Sequence, residues 1–468
     1  MKKVLCTVMA GAMLVSMTAA LSGCKRNNGP DGGDKAVEFV KQATGSDYAT
    51  DIMLPELKDS ELHIMMSLSY ENIKKLDTEK NPQAQVQSTN IWKEVYGTDI
   101  VVDVVAESQQ TEYLSTAVAS GTSPDIIPAN SMTFPLWSAK GLVADIDDEK
   151  FAAYFDLEDP VYNKELMDQF NFQGHPQWAV TSKPDFTYVI YNKTKFYLAG
   201  EKTPMDYYQQ GSWTWSQFVK TAKAMTSGED YGFNGWALFP YNSVYPMINL
   251  NDDGTVALNI DDTKYMSWMT EVYNFYQRDK AGRLDYNLQS WETTFPQGTD
   301  AMVITNLGHY ERMVKVAKEL EGDEFGIAPL PIFDKGGETE RIVPASLWGY
   351  SISSGAQHPE AAATYIRLET MVSQNIKKAH PGYGYLDNVL TDEEKQMLED
   401  TSTDKWFIEK ILGIGDCYNI IDTKLVPPIY YNVNETSVQS EIDQVKPLLQ
   451  AEVDDYNNDL RDRLAEAE

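Results

Sequence analysis

The hydrophobic positions along this chain switch between a period of two and a period near 3.6, and the switching predicts the elements. Glu61–Tyr70 (ELHIMMSLSY) and Asp99–Ala106 (DIVVDVVA) are dense in apolar and β-branched residues and read as strands. Between them Ile91, Trp92 and Val95 fall at helical spacing. Thr111–Ser120 reads as a helix, Gly121–Pro124 as a turn, and Pro124–Pro128 (PDIIP) as a short buried strand. Further strands are expected at Trp178–Thr181, Tyr188–Tyr191, Asp300–Thr305, Phe325–Pro329 and Gly349–Ser353. Trp215–Met225 reads as a helix with Thr214 as its N-cap, and Asn251–Asn259 as a hairpin turning at Asp253-Gly254. Helices dominate after Pro359 and end in the acidic amphipathic run Glu441–Glu468. Strand and helix alternating in this way predict an α/β fold with helices on both sheet faces.

The first residues follow neither period. Lys2 and Lys3 precede an apolar or small-residue run from Val4 to Ala20, and Leu21-Ser22-Gly23-Cys24 follows. A basic start, a short greasy run and small residues before a cut describe an export signal over residues 1–23. Cys24 stands where a bacterial lipoprotein is acylated, and each buried CH₂ of acyl chain contributes ~0.8 kcal/mol to anchoring. An ordinary signal peptide or a buried apolar helix, with a chance cysteine, is the competing reading. Residues 24–58 begin with Asn, Gly, Pro and Asp, carry little apolar periodicity, and are expected to be a tether.

Composition narrows the function. The net charge is −31, which disfavours nucleic acid as a partner because phosphate binding needs Lys and Arg to release counterions. Solubility is the simple reading of the acidity. With Cys6 in the signal and Cys24 acylated, Cys417 has no disulfide partner, and a cysteine-rich metal site is excluded. The length exceeds what one hydrophobic core usually supports, so two lobes are expected. The histidines form no HExxH, and Gly349-Tyr350-Ser351-Ile352-Ser353 misses the GxSxG elbow at its last position. The glycine pairs of Gly382-Tyr383-Gly384 and Gly413-Ile414-Gly415 lack a third glycine in a strand-to-helix setting. Asn249–Ile260 resembles a calcium loop at its start but has Ile260 where a bidentate Glu is required. No cofactor, metal or catalytic residue is therefore expected. A glycosidase needs only two carboxylates and stays open; Glu71, Asp185 and Glu292 are the acids it would use.

Aromatic residues are the positive signal: ten tryptophans and twenty-seven tyrosines, the side chains that stack on the C–H faces of sugars. Trp92, Trp215 and Trp268 sit at helical spacing and read as core. Trp137, Trp236, Tyr241, His309, Tyr310, Trp348 and Tyr431 lie past predicted strands or in Gly/Pro/Asn-rich connections, where α/β proteins present ligand-binding groups.

The order of motifs resembles extracellular solute-binding family 1, the sugar-binding lipoproteins of ABC importers. The resemblance is carried by Ala119-Ser120-Gly121-Thr122-Ser123-Pro124-Asp125-Ile126-Ile127 and Gly141-Leu142-Val143-Ala144-Asp145-Ile146. Tyr191-Asn192-Lys193 with Phe196 and Ala199-Gly200 follows, then Thr214-Trp215 with Phe218 and Met225-Thr226. Phe295, Gly298, Ala301-Met302 and Asn306, then Ala328-Pro329-Leu330-Pro331, complete it. It implies a type II periplasmic-binding-protein fold, two α/β lobes joined by hinge strands, with residues 59–179 and 294–337 in the first lobe. Residues 180–293 and 338–468, including the C-terminal helices, would form the second. It further implies a monomer anchored through Cys24 on the extracytoplasmic face of the membrane, delivering a carbohydrate, an oligosaccharide, to ABC permease subunits. Ligand positions carried across are Tyr70, Glu71, Asn130 and Tyr241, and Asn306 with His309 or Tyr310 where many members have a tryptophan. Trp348 and Tyr431 could supply the compensating rings. The same fold holding a peptide, polyamine or other polar solute is the alternative, with a secreted glycoside hydrolase behind it.

Overall fold

The computed structural model describes residues 41, 61–78, 82–152, 154, 157–158, 161–162, 164–180, 184–228, 230–234, 244–283, 295–298, 300–379, 382, 384–431 and 436–467. Two sheets organise them. The first contains β1 (Leu62–Met66), β2 (Ile100–Val104), β3 (Ile126–Ala129) and β4 (Ala179–Val180), joined by a late strand, Gly349–Ile352. The second contains β5 (Asp185–Asn192), β6 (Phe233–Asn234), β7 (Gly282–Arg283), β8 (Met302–Asn306), β9 (Phe325–Pro329) and β10 (Ile342–Ser346). With Gly349–Ile352 as β11 and Lys405–Phe407 as β12, the orders are β2-β1-β3-β11-β4 and β7-β6-β8-β5-β10-β12, with β9 also on β5. β1 runs parallel to β2 and β3, as connections through helices require.

The helices that cover these sheets match the sequence periods closely. α1 (Tyr70–Leu76), α2 (Ala84–Tyr96) and α3 (Gln110–Ser120) belong to the first sheet's connections. α4 (Trp215–Met225) starts where Thr214 Oγ1 accepts the Gln217 amide at 3.3 Å, the N-cap expected from sequence. α5 (Thr263–Gln277) and α6 (Leu307–Glu319) pack with the second sheet. α7 (Pro359–Ala379) lies against α2 and β11, and the long α8 (Val438–Ala467) touches elements of both halves. Lys140 of the first half bonds Asp459 of α8 at 3.2 Å.

Strand pairing redraws the expected lobe boundaries. β8 and β9 pair antiparallel with β5, so the segment 294–337 builds the second sheet and not the first. The chain returns to the first sheet at β11, which pairs with β3 and β4. Hydrophobic period identifies a strand but carries nothing about its partner, which is why the return was misplaced.

The helical-period tryptophans are core, as expected. Trp92, Trp215 and Trp268 are buried. Around Phe218 the ring centroids of Trp215, Phe275 and Phe233 lie 5.2, 5.5 and 5.6 Å away. In the first half Phe170 stacks on Trp178 at 3.7 Å, and Phe134 meets both edge-on. A backbone approach ties the halves: a Cβ at Gly413 would lie 2.5 Å from the Phe134 carbonyl oxygen, so only glycine fits there. Phe218→Ala should lower the unfolding free energy by about 3–5 kcal/mol in urea denaturation. Tyr197→Ala, at a side chain 84% exposed, should change it by less than about 0.5 kcal/mol.

Candidate functional site: a cleft at the carboxyl ends of both sheets

The site follows from register. Gly349 stands opposite both Ala129 and Val180, so the end of β3, the end of β4 and the start of β11 share one edge of the first sheet. Asp185 stands opposite Ser346, and Asn306 opposite Thr187, so the start of β5 and the ends of β8 and β10 share one edge of the second. The chain goes from Val180 to Asp185 and back from Ser346 to Gly349, so these two edges face the same crossings. Ligands of open α/β sheets bind at the carboxyl ends of strands, and here both sheets present that edge to each other.

Side chains at this edge break the burial rule. Leu68 lies just past β1, Val104 ends β2, Met132 follows β3, and Tyr113 projects from the start of α3; all four are exposed. Trp348, in the crossing between β10 and β11, is 55% exposed. Apolar groups gathered at one edge of a sheet and left in water mark a binding surface. Trp348 had been singled out from sequence. The other four had not; for Leu68 and Met132 the available signal was an apolar residue falling just beyond a strand.

The expected polar residues divide into two groups. Tyr70 and Glu71 begin α1, beyond the end of β1; Tyr70 is half-buried, Glu71 exposed. Burial raises the Tyr70 hydroxyl above the ordinary tyrosine range. Asn130 directly follows β3, and its Oδ1 accepts the Met132 amide at 2.9 Å. Its amide nitrogen makes no hydrogen bond among the described residues. These three, with Trp348, are brought to the same edge.

The second group is committed elsewhere. Asn306 caps α6, its Oδ1 accepting the His309 amide at 3.0 Å. His309 Nδ1 lies 2.8 Å from Arg312 Nη2 on the exposed side of that helix. Tyr310 corrects expectation: it is fully buried and donates to the Phe325 carbonyl at 3.2 Å, so it packs α6 onto β9. Trp137 is likewise core, with Nε1 donating to Thr111 Oγ1 at 2.9 Å. Tyr431 ends the helix Val426–Tyr431, which packs on α5, and no strand pairing brings it to the crossings. Tyr241, Trp236, Glu292 and Cys24 lie outside the described residues.

Asp185 had been considered only as a glycosidase acid. The structure puts it at the first residue of β5, at the crossing, where its carboxylate makes no hydrogen bond or ion pair among the described residues. Burial alone pushes it up to about 6. Its chemistry there is that of an acceptor for ligand hydroxyls. A small pocket lined by residues of β5, β9 and β10 is a different matter. Its Arg341 is spent on Asp404 at 2.8 Å and on the Leu330 carbonyl at 2.6 Å.

The chain belongs to the bacterial extracellular solute-binding protein family. That family's model matches residues 74–368. Among solved structures, an ABC substrate-binding protein of Listeria monocytogenes in complex with cycloalternan is 18% identical, with a TM-score of 0.58 over 85% of this chain and 98% of its own. A cyclo/maltodextrin-binding protein complexed with maltotetraose is 14% identical, with a TM-score of 0.57 over 86% of this chain and 97% of its own. CpMnBP1 with mannotriose bound gives 14%, 0.61, 84% and 99%. At such identities the likeness establishes the fold: two α/β lobes of the type II periplasmic-binding kind. No curated protein matches the sequence.

Because Asp185 binds its proton more tightly folded than unfolded, the cost of ionising it is absent below about pH 4 and complete above about pH 6. Asp185→Asn should therefore match the wild type at about pH 4 and exceed it at pH 7 by on the order of 1–2 kcal/mol, read by urea denaturation at both pH values.

Proposed function

We propose that this chain is the lipid-anchored solute-binding component of an ABC importer, capturing a carbohydrate, an oligosaccharide, and passing it to membrane permease subunits without making or breaking a bond. The observation that carries the reading is the edge itself: exposed Trp348, Leu68, Val104 and Met132 together with Asp185 and the Asn130 amide, both without a partner among the described residues. A sugar offers an apolar C–H face to the rings and hydroxyls to the carboxylate and amide. The sugar ligands of the three similar structures support the same choice.

Capture needs no chemistry beyond differential affinity. A ligand touching both edges binds the state in which they are close better than the state in which they are apart, and shifts the population by that difference. Tyr70, Glu71, Asn130 and Trp348 would contact it from the first lobe and its crossing and Asp185 from the second, with Tyr241 as a further stacking ring. The acyl group on Cys24 would hold the monomeric trap at the extracytoplasmic face, where tethering raises its concentration near the permease. The half-buried Asp185, without a cationic partner among the described residues, and the net charge of −31 favour one second reading, a cationic solute such as a polyamine.

Calorimetric titration with maltotetraose, mannotriose, spermidine and a neutral tetrapeptide, each mixture assayed for new reducing ends, separates these readings. Saturable binding of a saccharide with no new ends is expected. Binding of spermidine or the peptide alone supports the alternative, and new reducing ends would overturn the non-enzymatic reading. For the saccharide bound, Trp348→Ala should weaken affinity at least about tenfold, about 1.4 kcal/mol. Tyr310→Phe should leave it unchanged. In cells, Cys24→Ser should move the protein from the membrane to the soluble fraction.

A further inference from the structure

A polar chain with a buried centre, Glu369 and Tyr365, links the cleft to the strand that follows Trp348. Glu369 lies on α7, and its Oε1 accepts the Tyr350 hydroxyl of β11 at 2.9 Å. The Tyr365 hydroxyl, one turn earlier on α7, stands beside the same carboxyl and lies 3.3 Å from Thr89 Oγ1 of α2. Thr89 in turn bonds Tyr70 at the start of α1. The groups facing Glu369 are thus Tyr350 from β11 and Tyr365 from its own helix. Beyond Tyr365 come Thr89 from α2 and Tyr70 from α1.

Among the described residues no ammonium or guanidinium offsets the carboxyl, and its Oε2 has no hydrogen-bond partner. Ionised, Glu369 would be a buried charge without a counter-ion. Two phenols strengthen their hydrogen bonds to it, but that does not replace the hydration it loses. Neutral, it fits. Tyr350 directly follows Gly349, whose register with Ala129 and Val180 sets the crossing where Trp348 stands.

We propose that Glu369 is a positioning residue of the cleft: as a neutral acid it holds Tyr350, and through it the strand next to Trp348. On losing its proton it draws water between α7 and β11 and shifts that strand. Burial supports the neutral form by pushing the carboxyl up to about 7. Trp348 is therefore set differently on either side of neutrality, and the cleft presents its ring best on the acidic side. The inference deepens the reading of Trp348 as a ligand-facing ring and rests on it.

The test uses the ligand-free protein, so that its failure and a failure of the carbohydrate reading are separate results. The emission of Trp348, taken as wild type minus Trp348→Phe, is followed from about pH 5.5 to 8.5. A single transition centred near pH 7 is expected in the wild type. It should vanish in Glu369→Gln, which keeps the neutral form's shape, and in Tyr350→Phe, which leaves the acid but cuts the link. It should persist in Glu409→Gln, because burial also pushes Glu409 up to about 7 but that group holds the Met247 and Ile411 amides instead. A flat wild-type profile, or a transition that survives Glu369→Gln, overturns the proposal.

Discussion

Everything at the cleft depends on one constraint: two chain crossings whose register is fixed by backbone pairing on both sides. Gly349 is held between Ala129 and Val180, and Ser346 is held against Asp185, leaving only Leu347 and Trp348 to span from one sheet to the other. A one-residue slip in either pairing would turn every side chain near the crossing to the opposite face. Because β5 runs antiparallel to β8, β9 and β10, its start lies with their ends, and the carboxyl edge of the second sheet is turned to that of the first.

The energetic character of this edge follows. Away from the crossings many large aromatics are buried in clusters such as that around Phe218, and the buried Asp300 is paired with Arg283 at 2.8 Å. At the crossings both habits lapse. Trp348 is largely exposed and Asp185 is partly desolvated without a partner among the described residues, each unfavourable in the ligand-free protein. A solute that covers the ring and bonds the carboxylate relieves both at once. The stability conceded at the site thereby becomes affinity, and a substitution that removes the acid is expected to trade binding for stability.

Most of the elements were legible in the sequence because local period and capping specify them. The Thr214 cap, the strand Phe325–Pro329 and the helix Trp215–Met225 were found where expected. Partnership was not legible: nothing in Asp300–Thr305 says that it pairs with β5, so the segment 294–337 was placed in the wrong lobe. The site was legible in part. Trp348 stands out in the sequence as an aromatic in a connection and Asn130 through the family resemblance; the structure puts both at the sheet edge, and their contact with a ligand is a proposal. Tyr310 was misread because its neighbourhood looked like a loop, although Tyr310, Met313 and Ala317 fall at the spacing of a buried helical stripe. Trp137 was misread for the same reason, and packs with Met65, Leu114 and Ile127. Asp185 is named from sequence only as a candidate glycosidase acid, since sequence shows an acid but not its desolvation.

The solute-binding reading thus rests on geometry as well as on kinship, and its central claim concerns a place: the ligand lies between the two carboxyl edges, at the crossings. The most direct measurement is a crystal structure of the protein grown with the saccharide it binds. The account predicts a sugar ring against Trp348, with hydroxyls in hydrogen-bonding reach of Asp185 and the Asn130 amide. A saccharide seated on the outer face of either sheet, with Trp348 and Asp185 untouched, would contradict it.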